Sequence, residues 1–152
     1  MRISFDIDDT LVCDDSVPVE QFVPRWVRWL YPERLRLGTR DLMRELIARR
    51  YQIWIYTTSY RSPRYLRGWF GSFSVPISGV VNQRRHDRVV GRRGPSKNPS
   101  TFGIKMHVDD SEGVAEEGRR YGFEVVVVVP EDPDWTVRVL RAIETRSTGA
   151  FE

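Results

Sequence analysis

The chain has 152 residues, enough for one compact domain, and its 24 Lys+Arg against 21 Asp+Glu give a formal charge of only +3. That surplus is too small to indicate nucleic-acid binding by itself, and a lone cysteine, Cys13, excludes an internal disulfide or a Cys-based zinc site. No apolar stretch reaches signal-peptide or membrane-spanning length, so the sequence predicts a single cytoplasmic domain over 1–152 with no membrane partner.

The first predicted element is a buried strand through Ile3, Phe5 and Ile7, running into Asp6, Asp8 and Asp9. Residues 13–20 read as a loop or flap. A short helix over 24–30 follows, with Pro24 in its first turn and Trp26, Trp29 and Leu30 on one face, read as core. Tyr31-Pro32 ends it. Gly38-Thr39 starts a helix through Arg50 whose stripe is Leu42, Met43, Leu46 and Ile47. A strand over 51–56 (YQIWIY) stops at Thr57-Thr58-Ser59. A helix over 62–70 and a strand from Val75 to Val81 come next, the strand weakened by Pro76 and Gly79. Residues 84–100, rich in Arg, Gly and Pro, read as loop. A strand over 104–108, a helix over 111–121, a strand over 123–129 and a helix over 133–146 complete the chain. This alternation predicts an α/β fold, a doubly wound and mainly parallel Rossmann-like sheet with helices on both faces.

Polar groups in such a sheet act at the carboxyl ends of the strands. Three predicted strands end there in reactive residue types: Asp6, Asp8 and Thr10 after the first, Thr57 after the second, Asp109-Asp110 after the fourth. Taken singly, Thr57, Thr58 or Ser59 reads as a helix cap, Asp109 to Ser111 as another, and Lys97 as a solvated loop residue. Asp6-x-Asp8 resists that treatment, because two carboxylates leaving a buried strand repel each other and lose hydration. With the strands adjacent, Asp6, Asp8, Asp109 and Asp110 converge and call for a cation. An all-oxygen, carboxylate-rich set without Cys or His favours Mg²⁺. Lys97 and Thr57 add a positive charge and a hydroxyl donor opposite it, which suits a phosphate group.

On these residues the sequence resembles the haloacid dehalogenase (HAD) superfamily of phosphohydrolases. "FDIDDTLV" resembles its first motif, "IWIYTTS" its second, Lys97 its third-motif lysine and "MHVDDS" its acidic fourth motif, in order from residue 2 to about 129. The resemblance implies Asp6 as a nucleophile forming an aspartyl-phosphate and Asp8 as general acid and then base. It implies Mg²⁺ held by Asp6, the Asp8 carbonyl and Asp110, with Asp109 close by. Thr57 and Lys97 would bind the phosphoryl oxygens, with Thr58 competing for the first place and Lys105 for the second, and Thr10 would orient the aspartate loop.

The stretches between the motifs leave no room for a substantial cap domain, which predicts an open site able to admit bulky phosphorylated substrates. The run 84–93 (RRHDRVVGRR) holds five arginines and one histidine. It reads either as a solvated loop or as a rim for phosphate-rich substrate or nucleic acid, which makes a nucleic-acid or phosphoprotein end-processing phosphatase one alternative function. A catalytically silent phosphate-binding module is another. Arg61, Arg64 and Arg67, following the second motif, read either as an extension of that rim or, in preference, as the solvent face of a helix, and His86 and His107 receive no role.

Overall fold

The structure, a computed structural model, describes residues 1–149. Five strands form one sheet: β1 (Arg2–Phe5), β2 (Gln52–Tyr56), β3 (Gly79–Val81), β4 (Met106–Asp109) and β5 (Glu124–Val127). Their order is β3-β2-β1-β4-β5 and every pairing is parallel. Helices α1 (Arg25–Leu30), α2 (Thr39–Ala48), α3 (Pro63–Ser72), α4 (Gln83–Val89), α5 (Glu112–Tyr121) and α6 (Trp135–Gly149) connect or follow the strands. This is the doubly wound α/β architecture that the sequence predicts.

Alternation along the strands divides the sheet into two faces. Ile3, Phe5, Ile53, Ile55, Met106 and Val108 pack with Leu42, Met43 and Leu46 of α2, Leu66, Trp69 and Phe70 of α3, and Val139 and Ile143 of α6 in the main core. Trp54, Tyr56 and Val81 belong to a second cluster with Phe102 and Ile104. Ser4 and His107, opposite each other in the β1–β4 register, are polar residues buried on this second face.

Three local expectations fail. β3 is only three residues long, because Pro76 has no N–H to give the ladder, although Val75 and Ile77 remain buried. The segment expected as an 84–100 loop opens with α4. Asn82 caps it by accepting from the Arg85 N–H at 3.1 Å, and the Gln83 side chain spans one turn to Asp87 at 2.6 Å. The α1 stripe is not core: Trp26 and Trp29 are 59% and 82% exposed, and Val27 is the residue that α1 buries. α1 has six residues between Pro24 and Tyr31-Pro32, too few to bring two opposite faces into the core. Between β1 and β2 the chain carries only α1, α2 and connecting loops, so no cap domain lies over the sheet.

Candidate active site

The site is built at the carboxyl edge of the sheet, where β1, β2 and β4 stop side by side. β1 hands over to a tight loop. The Asp6 N–H continues the ladder to the Val108 carbonyl at 2.9 Å, and the Ile7 carbonyl then accepts from Thr10, Leu11 and Val12. Asp9 sits at φ 59° in this turn, a left-handed conformation that Asp tolerates better than most side chains. Thr10 is fully buried and its hydroxyl donates to Asp110 at 3.3 Å, which ties the loop after β1 to the end of β4. After β2, Thr57 continues the ladder to Val81 at 2.9 Å, and its Oγ1 accepts the Ser59 N–H at 3.1 Å. Thr58, the alternative, points outward and is exposed.

Lys97 enters from the loop that follows α4. Its side chain is 3% exposed, and Nζ lies 3.0 Å from Asp6 Oδ1 and 2.5 Å from Asp109 Oδ2. Glu117 of α5 anchors that loop by accepting from the Ser96 N–H at 2.8 Å, the Ser96 hydroxyl at 2.6 Å and the Lys97 N–H at 3.3 Å. Tyr56 anchors it from the sheet: its hydroxyl oxygen accepts the Asn98 N–H at 3.0 Å, while the hydroxyl faces His86 Nδ1 at 2.6 Å. Lys105, the competing lysine, is exposed and precedes β4, so the length of that strand separates it from Asp109.

Asp6, Asp109 and Asp110 each bring a carboxylate oxygen within 4.8 Å of the others. Three close carboxylates share the single lysine charge, and their titration reflects it. Burial pushes Asp6 up to about 6 against the opposing pull of Lys97, and burial together with Asp109 pushes Asp110 up. Asp109 goes the other way: burial opposes its charge, but the His107 hydrogen bond and the Lys97 ammonium hold it well below the usual carboxylate range. Asp6 Oδ1 is buried and, although close to Lys97 Nζ, makes no hydrogen bond of acceptable direction. A buried carboxylate oxygen that has an ammonium nearby but no well-directed hydrogen bond, inside a three-carboxylate cluster with a single lysine, fits a hard divalent cation such as Mg²⁺. Asp6, Asp109 and Asp110 are the side chains that could hold it.

Asp8 points away from that cluster. Arg61 grips its carboxylate with both ends of the guanidinium, Nη1 to Oδ2 at 3.0 Å and Nη2 to Oδ1 at 2.8 Å. The same guanidinium holds Glu33 through Nε, 3.0 Å from each carboxylate oxygen, and through the other N–H of Nη2, and the Tyr65 hydroxyl donates to Glu33 at 3.1 Å. The Arg61 hydrogen bonds keep Asp8 below its ordinary value. Arg61, expected on the solvent face of a helix, is therefore a site-edge residue lying before α3, whereas Arg64 and Arg67 are exposed on that helix as expected.

The structure thus brings Asp6, Thr10, Thr57, Lys97, Asp109 and Asp110 to one edge and leaves Thr58 and Lys105 outside the group. Sequence reasoning missed Glu33, Glu117, Tyr56 and His107, and gave Arg61 only as the less favoured rim reading. His107 was the one with a signal, since a histidine inside a four-residue buried strand needs partners. Its Nδ1 lies 2.8 Å from the Ser4 hydroxyl and its Nε2 2.9 Å from Asp109 Oδ2. A carboxylate only accepts, so Nε2 carries the proton and Nδ1 accepts from Ser4. The arginine run changes meaning too. Arg85 stacks over Trp54 and Phe102 and donates to the Val80 carbonyl at 2.8 Å, and Arg92 pairs with Asp87 at 3.3 Å. Arg84, Arg88 and Arg93 remain exposed.

No protein-family profile matches the chain, and no curated protein matches it. Among solved structures it is similar to a HAD-superfamily hydrolase, subfamily IA, from Geobacter sulfurreducens, with a TM-score of 0.54 and 13% identity over 83% of this chain and 88% of that one. It is similar also to a predicted HAD-like family hydrolase from Porphyromonas gingivalis, with a TM-score of 0.54 and 14% identity over 93% of this chain and 97% of that one. Identities this low speak for the fold: the chain has the HAD-like α/β architecture. No helix among the described residues is long and apolar enough to cross a membrane.

Proposed function

We propose that this chain is a Mg²⁺-dependent phosphatase that hydrolyses a phosphate monoester through an aspartyl-phosphate. The observation that carries the reading is the Asp6 carboxylate, buried, with one oxygen lacking a hydrogen bond, between Lys97 and the Asp109/Asp110 pair. The HAD hydrolases that share the fold support it.

In this reading Asp6 attacks phosphorus, an Asp6–phosphate bond forms, and the bond from phosphorus to the leaving oxygen breaks. Asp8, which takes up a proton from solvent as its carboxylate leaves Arg61, gives that proton to the leaving oxygen, then takes one from the water that cleaves the Asp6–phosphate bond. Lys97 and the Thr57 hydroxyl bind phosphoryl oxygens, and Thr10 holds Asp110 in place. Mg²⁺ bound among Asp6, Asp109 and Asp110 would neutralise the charge that otherwise keeps an anionic nucleophile from an anionic phosphate. For Asp8 to act as an acid, its carboxylate has to exchange Arg61 for the leaving oxygen.

The test is phosphate release from 4-nitrophenyl phosphate and a panel of phosphate monoesters, with and without Mg²⁺. Turnover is expected only with the cation, and Asp6→Asn is expected to lower it by roughly 10³-fold or more. Metal-independent turnover, or none on any ester, refutes the reading. The absence of a cap leaves the mouth open to large leaving groups, so the panel should include phosphorylated peptides and oligonucleotides.

A further inference from the structure

We infer that the Nη1/Nη2 edge of Arg61 is a second oxyanion subsite, and that the substrate is a phosphate monoester whose leaving group carries a carboxylate or another phosphate. The inference rests on the phosphatase reading and specifies its substrate class.

Arg61 offers donors along two edges. The Nε edge is held by Glu33, which the Tyr65 hydroxyl fixes in turn. The other edge is held by Asp8. The guanidinium is not free to follow Asp8 when that carboxylate turns to the leaving oxygen. Its side chain is 19% exposed, Glu33 retains it, and the Asn82 side-chain amide donates to its backbone carbonyl at 3.1 Å. Asp8, by contrast, is 53% exposed, so the edge it covers opens on solvent at the mouth of the site.

Asp8 therefore behaves as an internal occupant of an anion site. Its departure leaves a planar pair of N–H donors beside the Arg61–Glu33 ion pair, whose own charges cancel. An oxyanion restores both the hydrogen bonds and the charge that Asp8 supplied, and a guanidinium edge matches carboxylate or phosphate in bidentate fashion. The group that arrives as Asp8 leaves is the one attached to the leaving oxygen, because Asp8 is the residue that must meet that oxygen. An uncharged leaving group would leave these donors to water or to single neutral acceptors, without the bidentate, charge-assisted pairing that Asp8 supplied.

The experiment uses the Asp6→Asn protein with Mg²⁺, which binds without turning over, and measures calorimetric affinity for three probes. Ethyl phosphate has no second anion, phosphoglycolate adds a carboxylate, and ethane-1,2-diol bisphosphate adds a phosphate. At least one of the two doubly anionic probes is expected to bind about tenfold or more tightly than ethyl phosphate, and which one does so names the group. Adding Arg61→Gln should reduce that ratio to near one, and Arg61→Lys should lose most of it, because an ammonium lacks the fork. Thermal melts establish that each variant is folded, and Arg61→Lys decides the matter if Arg61→Gln is not. Equal affinities for the three probes, no binding of any, or a preference that survives loss of the guanidinium overturns the inference. Wild-type turnover of 4-nitrophenyl phosphate tests the phosphatase reading separately: turnover without an Arg61-dependent preference removes the subsite alone, and the preference without turnover removes the reading and the substrate class drawn from it while the anion subsite stands.

Discussion

Lys97 is the only cation paired with Asp6 or Asp109 among the described residues, and it reaches both. Removing it leaves buried carboxylates with no counter-charge. Lys97→Met is expected to lose about 3–5 kcal/mol of stability in urea unfolding at pH 7 without metal, and to regain part of it when Mg²⁺ is added. A loss under about 1 kcal/mol, or no response to Mg²⁺, would contradict the charge balance described here. His107 gives a pH signature. Burial and then the Lys97 charge bring its ring from the ordinary 6.5 down to about 4. Between those values the unfolded chain binds a proton that the folded chain refuses, so this residue withdraws stability as pH falls through that window. His107→Gln should therefore flatten the decline of stability between pH 6.5 and 4, by up to about 3 kcal/mol at the acid end, in denaturation series run across that range. Of the site residues, the acids, the threonine and the lysine were legible as types at strand ends. Glu33 was not, and Arg61 was legible only as rim or helix surface, because the two lie 28 positions apart and neither stands in a motif.

At the scale of elements, α4 shows why composition misleads. Five arginines within 84–93 suggested a solvated loop, yet Asn82 is a helix cap and His86 is buried against Tyr56. Asn82 is 6% exposed and serves two elements, capping α4 with Oδ1 and holding the Arg61 carbonyl with Nδ2. Asn82→Ala should cost about 2 kcal/mol in chemical denaturation, the sum of a lost cap and a lost buried hydrogen bond. An unchanged midpoint would mean that α4 does not depend on its cap. α1 misleads in the opposite direction. Helical spacing of Trp26 and Trp29 predicts burial only where another element packs on that face, and the structure supplies none. β3 was overextended for a third reason, since a buried apolar segment need not join the ladder: Val75 and Ile77 fill the core outside it, the Val75 N–H donating to the Phe70 carbonyl at 3.0 Å.

At the scale of the whole molecule, the sheet order makes the site. With β1 central and β2 and β4 on either side, the three strand ends carrying Asp6, Thr57 and Asp109 become neighbours, although those residues span about two thirds of the chain. If that edge holds Mg²⁺, the cation stabilises only the folded state. Millimolar Mg²⁺ is expected to raise the melting temperature by a few degrees in the wild type and not in Asp110→Asn, read by calorimetry. Equal shifts in both proteins would place the cation elsewhere. The sequence by itself determined the α/β alternation and the polar residues at the strand ends, because period, capping and the abrupt change from apolar to acidic are local properties. The tertiary structure decided which lysine reaches the acids, that His107 and Ser4 support Asp109 from within the sheet, and that Arg61 pairs with Asp8. The long-range contacts among them, Arg61–Asp8, Lys97–Asp6 and Ser4–His107, join residues 53 to 103 positions apart and are fixed by strand order and by the paths of loops that no local pattern encodes.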